Sequence, residues 1–290
     1  IKHNRAAILH SMTMSSVNFS KTYFMNNYAD GQALIFAPRS TIQFLNDTVV
    51  AENVADSILS SLLSNETSLN LVSTQFVNNT CRDTAFALSN SESKLVNTTM
   101  SNNVIIDHPL ISVRTSNFSV NSSSFECNWL TGIGNLIEVE DCSIDVNESS
   151  FVRNVGEKTG AFLVSLISNE TFSFTFRETI FTENSGNVVD SIYFDRQIPP
   201  AQFQYCKFSK LRFEEVNGDY YRNQLFHRCR FEQAKDDSQN LPIGLNLDVE
   251  KQKKKYFYAF FYFLCIYIII ILVIICLYFG KSKEKAEYLL

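Results

Sequence analysis

The stretch SVNSSSFECN at residues 119–128 recurs as DVNESSFVRN at 145–154 and as TFRETIFTEN at 175–184. Each copy ends in the pattern Phe-x-x-Asn, and a Ser or Thr stands two residues before the Phe. We call the Phe position of this pattern the marker. Three positions that stay in step over successive copies indicate an internal repeat.

The repeat extends over most of the chain, with 23 to 30 residues between successive markers. The markers are Phe24, Val50, Phe76, Met100, Phe125, Phe151, Phe181, Phe208 and Phe231. Three residues after the first seven markers stand Asn27, Asn53, Asn79, Asn103, Asn128, Asn154 and Asn184. Two residues before all nine stand Thr22, Thr48, Thr74, Thr98, Ser123, Ser149, Thr179, Cys206 and Cys229. Within each repeat, apolar residues alternate with polar ones, which predicts short strands separated by turns.

Repeats of about 25 residues with strands in fixed register predict an all-β fold, a right-handed parallel β-helix. We expect a solenoid of about nine coils of 23–30 residues, each stacked about 4.8 Å from the next. The Phe column should fill the interior. The Ser/Thr column should form a hydroxyl ladder, and the Asn column a ladder of amides that bond the backbone of the next coil. A leucine-rich repeat has a shorter period and spaced Leu residues, which are absent here.

A second feature is the apolar run at residues 256–279, which carries no charge in 24 residues. As a helix it is about 36 Å long at about 1.5 Å per residue, enough to cross a membrane core of about 30 Å. The predicted organisation is a β-helix domain at 1–234, truncated at its N-terminus, and a cap or stalk at 235–255. A single transmembrane α-helix at 256–279 and a short cytosolic tail at 280–290 follow.

Nine Asn-x-Ser/Thr sequons bear on the orientation of this chain in the membrane. They are Asn18, Asn46, Asn65, Asn78, Asn97, Asn117, Asn121, Asn147 and Asn169. All nine precede the apolar run, which predicts N-glycosylation and a type I plasma-membrane protein with the β-helix outside. Lysines flank the run on both sides and do not decide the orientation. The alternative is a tail-anchored protein with a cytosolic rod and unglycosylated Asn residues.

The Phe-x-x-Asn signature resembles that of the chlamydial polymorphic membrane proteins. It also resembles that of β-helix surface proteins of trichomonad parasites, which end in one membrane helix and a short tail. The companion Gly-Gly-Ala motif of that family is echoed at 31–34 and 160–163. The resemblance covers about residues 1 to 234. It implies an adhesin-like surface protein with a host-cell, neighbouring-cell or glycan ligand, and it implies no catalytic residue.

The remaining chemistry of the sequence is sparse. A net charge of −5 and a pI near 5.5 argue against a nucleic-acid partner. Polysaccharide-active β-helices need clustered acids beside Arg, Lys or calcium. The nearest feature, Ile-Asp-His at 106–108, faintly resembles a pectate-lyase motif. We expect no further acid cluster at one offset in adjacent coils, and so no catalytic site. A membrane-anchored polysaccharide-active enzyme and a passive structural coat protein are the alternatives.

Cys206 and Cys229 occupy one column of adjacent coils, which puts their Cα atoms about 5 Å apart, within the range of a disulfide. An oxidising compartment favours the bond, while a stacked pair of buried thiols in place of Thr or Ser is the alternative. Cys81, Cys127 and Cys142 share no column. The sequence has no Cys-x-x-Cys and no paired His, so we predict no metal site and no cofactor.

Overall fold

The computed structural model describes residue 2 and nine ranges of the chain. The ranges are 9–10, 16–36, 40–60, 68–90, 92–168, 172–195, 201–210, 215–218 and 225–231, where 92–168 is the longest. The chain divides into two units, Ile1–Lys235 and Asp236–Leu290. The predicted stalk, membrane helix and tail therefore lie outside the described residues. Among the described residues, no helix is long and apolar enough to cross a membrane.

The described part of the chain is an all-β parallel solenoid made of three sheets. Sheet 1 contains β2 Ser16–Ser20, β5 Thr41–Leu45, β8 Ser68–Val72, β12 Glu92–Val96, β16 Asn117–Asn121, β20 Ser143–Asn147, β23 Phe174–Arg177, β26 Gln202–Gln204 and β29 Leu225–His227. Sheet 2 contains β3 Tyr23–Met25, β6 Thr48–Ala51, β9 Thr74–Val77, β13 Thr99–Ser101, β17 Ser124–Glu126, β21 Ser150–Val152, β24 Ile180–Thr182, β27 Lys207–Phe208 and β30 Arg230–Phe231. Sheet 3 contains β1 Leu9–His10, β4 Tyr28–Phe36, β7 Val54–Ser60, β10 Thr80–Cys81, β11 Phe86–Ser89, β14 Val104–Ile106, β15 Ile111–Arg114, β18 Trp129–Thr131, β19 Ile137–Glu140, β22 Phe162–Ser165, β25 Ile192–Asp195 and β28 Val216–Gly218.

The alternation of apolar and polar residues explains which way each strand faces. In β19, Ile137 and Val139 are fully buried, while Glu138 and Glu140 lie on the outer surface. Each strand pairs in parallel with the equivalent strand one repeat later; β15, for example, places Ile111 beside Ile137. A slip of one residue would turn every apolar side chain outward, so the alternation of apolar and polar residues fixes the register.

The interior contains the marker column, as predicted. The first eight markers are buried, and Phe231 packs half-buried against the same core. From Phe125 onward the rings stack nearly parallel, with centroids 4.8 Å apart at Phe125–Phe151 and 5.2 Å apart at Phe151–Phe181. A second stack, which the repeat analysis does not predict, joins Phe176, Phe203 and Phe226.

The corners of each coil are built from residues in the left-handed backbone conformation. One such residue directly follows each strand of sheet 1, with φ between 47° and 56°: Lys21, Asn46, Ser73, Asn97, Ser122, Glu148, Glu178, Tyr205 and Arg228. Another directly follows the first seven strands of sheet 2, with φ between 53° and 57°: Asn26, Glu52, Asn78, Asn102, Cys127, Arg153 and Glu183. Since this conformation costs about 1–2 kcal/mol in a non-glycine residue, neighbouring contacts must hold each corner in place.

The buried Asn ladder supplies those contacts at the second corner. The Asn128 amide nitrogen donates to the carbonyl oxygen of Met100 and to Oδ1 of Asn154, both at 2.9 Å. Its own Oδ1 accepts from the backbone and side-chain nitrogens of Asn103, at 3.1 and 2.9 Å. The predicted ladder is confirmed, with one correction: its backbone partners belong to the preceding coil. The side chain points back toward the corner whose carbonyl and N–H groups would otherwise be unpaired.

The Ser/Thr column differs from the predicted hydroxyl ladder. The Thr74 hydroxyl donates to the carbonyl oxygen of Phe44 at 3.0 Å rather than to another hydroxyl. Ser123 Oγ accepts the backbone N–H of Thr98 at 3.1 Å. A hydroxyl has only one proton, and at this corner the backbone carbonyls are the acceptors that need it. The column therefore joins coils through hydroxyl-to-backbone bonds.

Candidate ligand-binding site

An open cavity of about 510 Å³ lies on the outer side of sheet 3 and is lined by Gly31, Asp56, Arg82, Asp83 and His108. The cavity is shallow and open to solvent, so its charged lining residues, rather than its volume, make it a candidate site. The lining residues come from four successive coils, because β4, β7, β10 and β14 lie side by side in sheet 3. We call this feature the sheet 3 cavity.

The strand register explains why these side chains meet. Cys81 pairs with Ala55 of the preceding coil, and both are buried. The next residues, Arg82 and Asp56, therefore both face outward. The backbone N–H of Asp83 then donates to the carbonyl oxygen of Asp56 at 2.8 Å, which carries the register into the turn.

A close contact between an imidazole and a carboxylate joins two of the lining residues. His108 Nδ1 lies 3.3 Å from Asp83 Oδ1, and the two side chains are 46% and 42% exposed. The same carboxylate oxygen accepts the backbone N–H of Thr84 at 2.6 Å, which fixes its position. With Nδ1 directed at Asp83, Nε2 is the imidazole nitrogen that a ligand can contact. Exposed pairs of this kind contribute at most about 1 kcal/mol to folding.

The sequence prediction for residues 106–108 is corrected in part. His108 lines the sheet 3 cavity, whereas Asp107 packs against Gly132 of the next coil. Gly132 has φ of 63°, and a Cβ there would overlap the Asp107 carboxylate. The Asp107 side chain therefore contacts the next coil at Gly132 and does not line the sheet 3 cavity.

The expectation of no further acid cluster concerned acids at one shared offset, whereas Asp56 and Asp83 come from adjacent coils at different offsets and line the cavity with Arg82 and His108. A partial signal was present in the sequence: Asp83 follows its marker by seven residues, as Asp107 does. Asp56 follows its marker by only six. A search for acids at the same distance from the marker misses Asp56 and Asp83, because their distances differ by one residue. Among the described residues, no group of three His, Cys, Asp or Glu side chains could hold a metal ion.

The sequons occupy the surface of the solenoid. Asn18, Asn46, Asn78, Asn97, Asn117 and Asn121 are exposed and Asn147 is half-exposed, while Asn65 and Asn169 lie outside the described residues. The fully buried asparagines are different residues: Asn27, Asn53, Asn79, Asn103, Asn128, Asn135, Asn154 and Asn184. Not one of these eight is followed by the x-Ser/Thr of a sequon. Structural asparagines and acceptor asparagines are thus two separate sets.

Cys206 and Cys229 lie in the hydroxyl column of adjacent coils and carry free thiols in the structure. Cys206 bonds the carbonyl oxygen of Phe176 at 3.3 Å, as Thr74 bonds that of Phe44. A hydrogen bond between the two thiols raises the pKa of Cys206 and lowers that of Cys229 to about 7. The disulfide predicted from the sequence stays a prediction.

Cys229 is expected to be the most reactive thiol of the reduced protein. Thiolate is the attacking species, so its iodoacetamide alkylation should rise with pH through about 7. Burial raises the pKa of Cys81 to about 12, so that thiol should stay unmodified. Peptide mass mapping after timed alkylation measures both rates, and Cys206→Ala, which removes the side-chain donor, should slow the Cys229 reaction at pH 7. Equal labelling of Cys206 and Cys229 would contradict the assignment of Cys229 as the reactive thiol. The same mapping without reductant tests whether the two residues form the predicted disulfide.

Comparison with known proteins gives no identification. No family model, no curated protein and no solved structure matches this chain.

Proposed function

We propose that this protein is a single-pass cell-surface protein whose glycosylated β-solenoid binds ligands outside the cell. The observation that supports it best is the separation of asparagines. All seven sequon asparagines in the described part of the chain are exposed or half-exposed, and the eight buried asparagines are outside sequons. Exposed positions can carry a glycan without disrupting the packed interior, whereas a buried sequon asparagine could not.

The architecture supports binding in a second way. A parallel solenoid presents long outer faces in fixed register, and such faces suit extended ligands. The apolar run at 256–279 supports the membrane anchor, since it is long enough to span a bilayer. The resemblance to adhesin-like surface proteins points the same way.

Digestion of the natively expressed protein with N-glycosidase is expected to lower its mass by several glycans. The accessible sequon nitrogens are the physical reason, since the transferase modifies exposed Asn-x-Ser/Thr sites in the secretory pathway. Mass spectrometry of the intact protein before and after digestion measures the shift. An unchanged mass, in cells whose control glycoproteins are shifted, would contradict the outside location and favour the tail-anchored alternative.

The sheet 3 cavity supports a second candidate function, a membrane-anchored polysaccharide-active enzyme. Asp83 and His108 form a carboxylate–imidazole pair of the kind that serves as a general base. Turnover on a panel of polysaccharides that is lost in Asp83→Asn and retained in Asp107→Asn would support this candidate. Absence of turnover on the whole panel would leave the binding function, and absence of any ligand or adhesion defect on deletion would indicate a passive coat protein.

A further inference from the structure

The described sequons are unevenly distributed around the solenoid. Four lie in strands of sheet 1, and two more directly follow strands of that sheet. The sheet 1 group is Asn18, Asn46, Asn97, Asn117, Asn121 and Asn147, and the seventh described sequon, Asn78, follows a strand of sheet 2. Asn121 and Asn147 are in-register neighbours in adjacent coils. Glycans at these positions would cover the outer face of sheet 1.

The outer face of sheet 3 has no sequon in the part of the chain that the structure describes. A column of apolar and aromatic residues runs along it instead. In register, it contains Tyr28, Val54, Thr80, Val104, Trp129 and Val155. Tyr28 is 43% exposed and Val104 and Val155 are each 37% exposed.

This apolar column lies directly beside the sheet 3 cavity. Val54 precedes Asp56 by two residues, and Thr80 precedes Arg82 by two, so each pair shares the outer side of its coil. Two residues along a strand span about 6.6 Å. The face thus places the column residues Val54 and Thr80 one strand step from the carboxylate of Asp56 and the guanidinium of Arg82.

We propose that this face of sheet 3 is the ligand face and that the sheet 3 cavity binds a neutral saccharide. The inference rests on the proposed surface location and names its ligand. Asp56 and Asp83 accept hydrogen bonds from sugar hydroxyls, and Arg82 donates to hydroxyl oxygens. The apolar column beside them packs against the C–H faces of the sugar. The cavity lining itself has four polar or charged side chains and no apolar one, so the apolar contacts come from the neighbouring column.

The charges of the cavity select a neutral ligand. Two carboxylates face one guanidinium and one imidazole, so the net charge of the four side chains is zero or −1. The lining therefore has no excess of positive charge with which to attract an anionic sugar. Acidic polysaccharides are therefore disfavoured at this site. They are the substrates of pectate lyases, whose motif the residues 106–108 faintly resemble.

The test uses the full-length protein displayed on cells and an array of neutral, acidic and amino-bearing oligosaccharides. We expect binding to one or more neutral oligosaccharides and at least about a tenfold loss of that binding in Asp56→Asn and in Arg82→Gln. Both substitutions change exposed or half-exposed outer side chains. Lys94→Gln is the matched control, because Lys94 is an exposed charged residue on the outer face of sheet 1. The control should bind as the unchanged protein does.

Three results would overturn the inference. They are binding confined to acidic or amino-bearing sugars, neutral-sugar binding that survives both cavity substitutions, and no binding anywhere on the array. Adhesion of the same cells to partner cells is measured in parallel. Adhesion that persists without saccharide binding would overturn the saccharide site and leave the proposed function standing. Adhesion that is kept in both cavity variants and lost only when the whole protein is deleted would locate the ligand on another face.

Discussion

Replacing Asn128 with Ala is expected to destabilise the solenoid by about 4 kcal/mol or more. The substitution removes four hydrogen bonds and leaves the Met100 carbonyl and the backbone N–H of Asn103 without their side-chain partner. Asn154 Oδ1 still accepts the backbone N–H of residue 128, and the Asn103 amide still donates to the Phe76 carbonyl. All lie in the buried ladder, and each unpaired buried group costs about 1–3 kcal/mol. Urea unfolding followed by the fluorescence of Trp129, the single tryptophan, measures the change.

The matched control is Asn117→Ala, in protein produced without glycans. Asn117 is exposed on the outer face of sheet 1, so its replacement should change stability by less than about 0.5 kcal/mol. Similar losses from both substitutions would show that the ladder has no special role. An unfolding transition that becomes broader in Asn128→Ala alone would indicate that the two halves of the solenoid have lost their coupling.

Replacing Phe151 with Ala should destabilise the chain by about 3–5 kcal/mol. Phe151 stacks between Phe125 and Phe181 at 4.8 and 5.2 Å and meets Phe162 edge-on at 5.0 Å. Its removal opens a cavity in a column where each ring is packed on both sides. Calorimetry or urea unfolding measures the loss.

The control for this prediction uses a marker that has no stacked ring. Met100→Leu conserves volume and should cost less than about 1.5 kcal/mol, whereas Phe151→Leu removes two stacking contacts as well as volume. Equal costs for the two Leu substitutions would show that ring stacking adds nothing to burial. A larger cost at Met100 would contradict the account of the aromatic column.

The sequence predicted those features of the fold in which one residue type recurs in one column. The markers and the Asn ladder recur because the same buried space and the same unpaired backbone groups recur in every coil. Their chemistry restricts the choice: a ring or a large apolar side chain fills the interior, and only an amide both donates and accepts as Asn128 does.

The left-handed corners could not be predicted in this way. Lys21, Glu148 and Tyr205 share one backbone conformation although their side chains have nothing in common. These side chains point to solvent, so the corner restricts the backbone and leaves residue type open. Glycine would signal the conformation, but the neighbouring ladder makes glycine unnecessary here.

The sheet 3 cavity was missed for a different reason. Its residues lie at different offsets within their coils, and a register irregularity between Ala29 and Ala33 separates β4 from the regular pairing with β7. Periodicity in the sequence reveals residues that recur in every coil, whereas the residues that line this cavity do not recur from coil to coil. His108 was singled out from the sequence, but its partner Asp83 required the pairing of β10 with β14.

In the parallel solenoid, residues distant in sequence stack in one column, with one step of about 4.8 Å per coil. Gln43, Asp145 and Gln202 belong to one outward column of sheet 1. Spin labels on ketone-bearing amino acids at these positions allow pulsed electron paramagnetic resonance to measure the separations. We predict about 19 Å for the pair at 43 and 145, four coils apart, and about 29 Å for the pair at 43 and 202, six coils apart. Distances that do not grow in proportion to the number of coils would contradict the parallel solenoid.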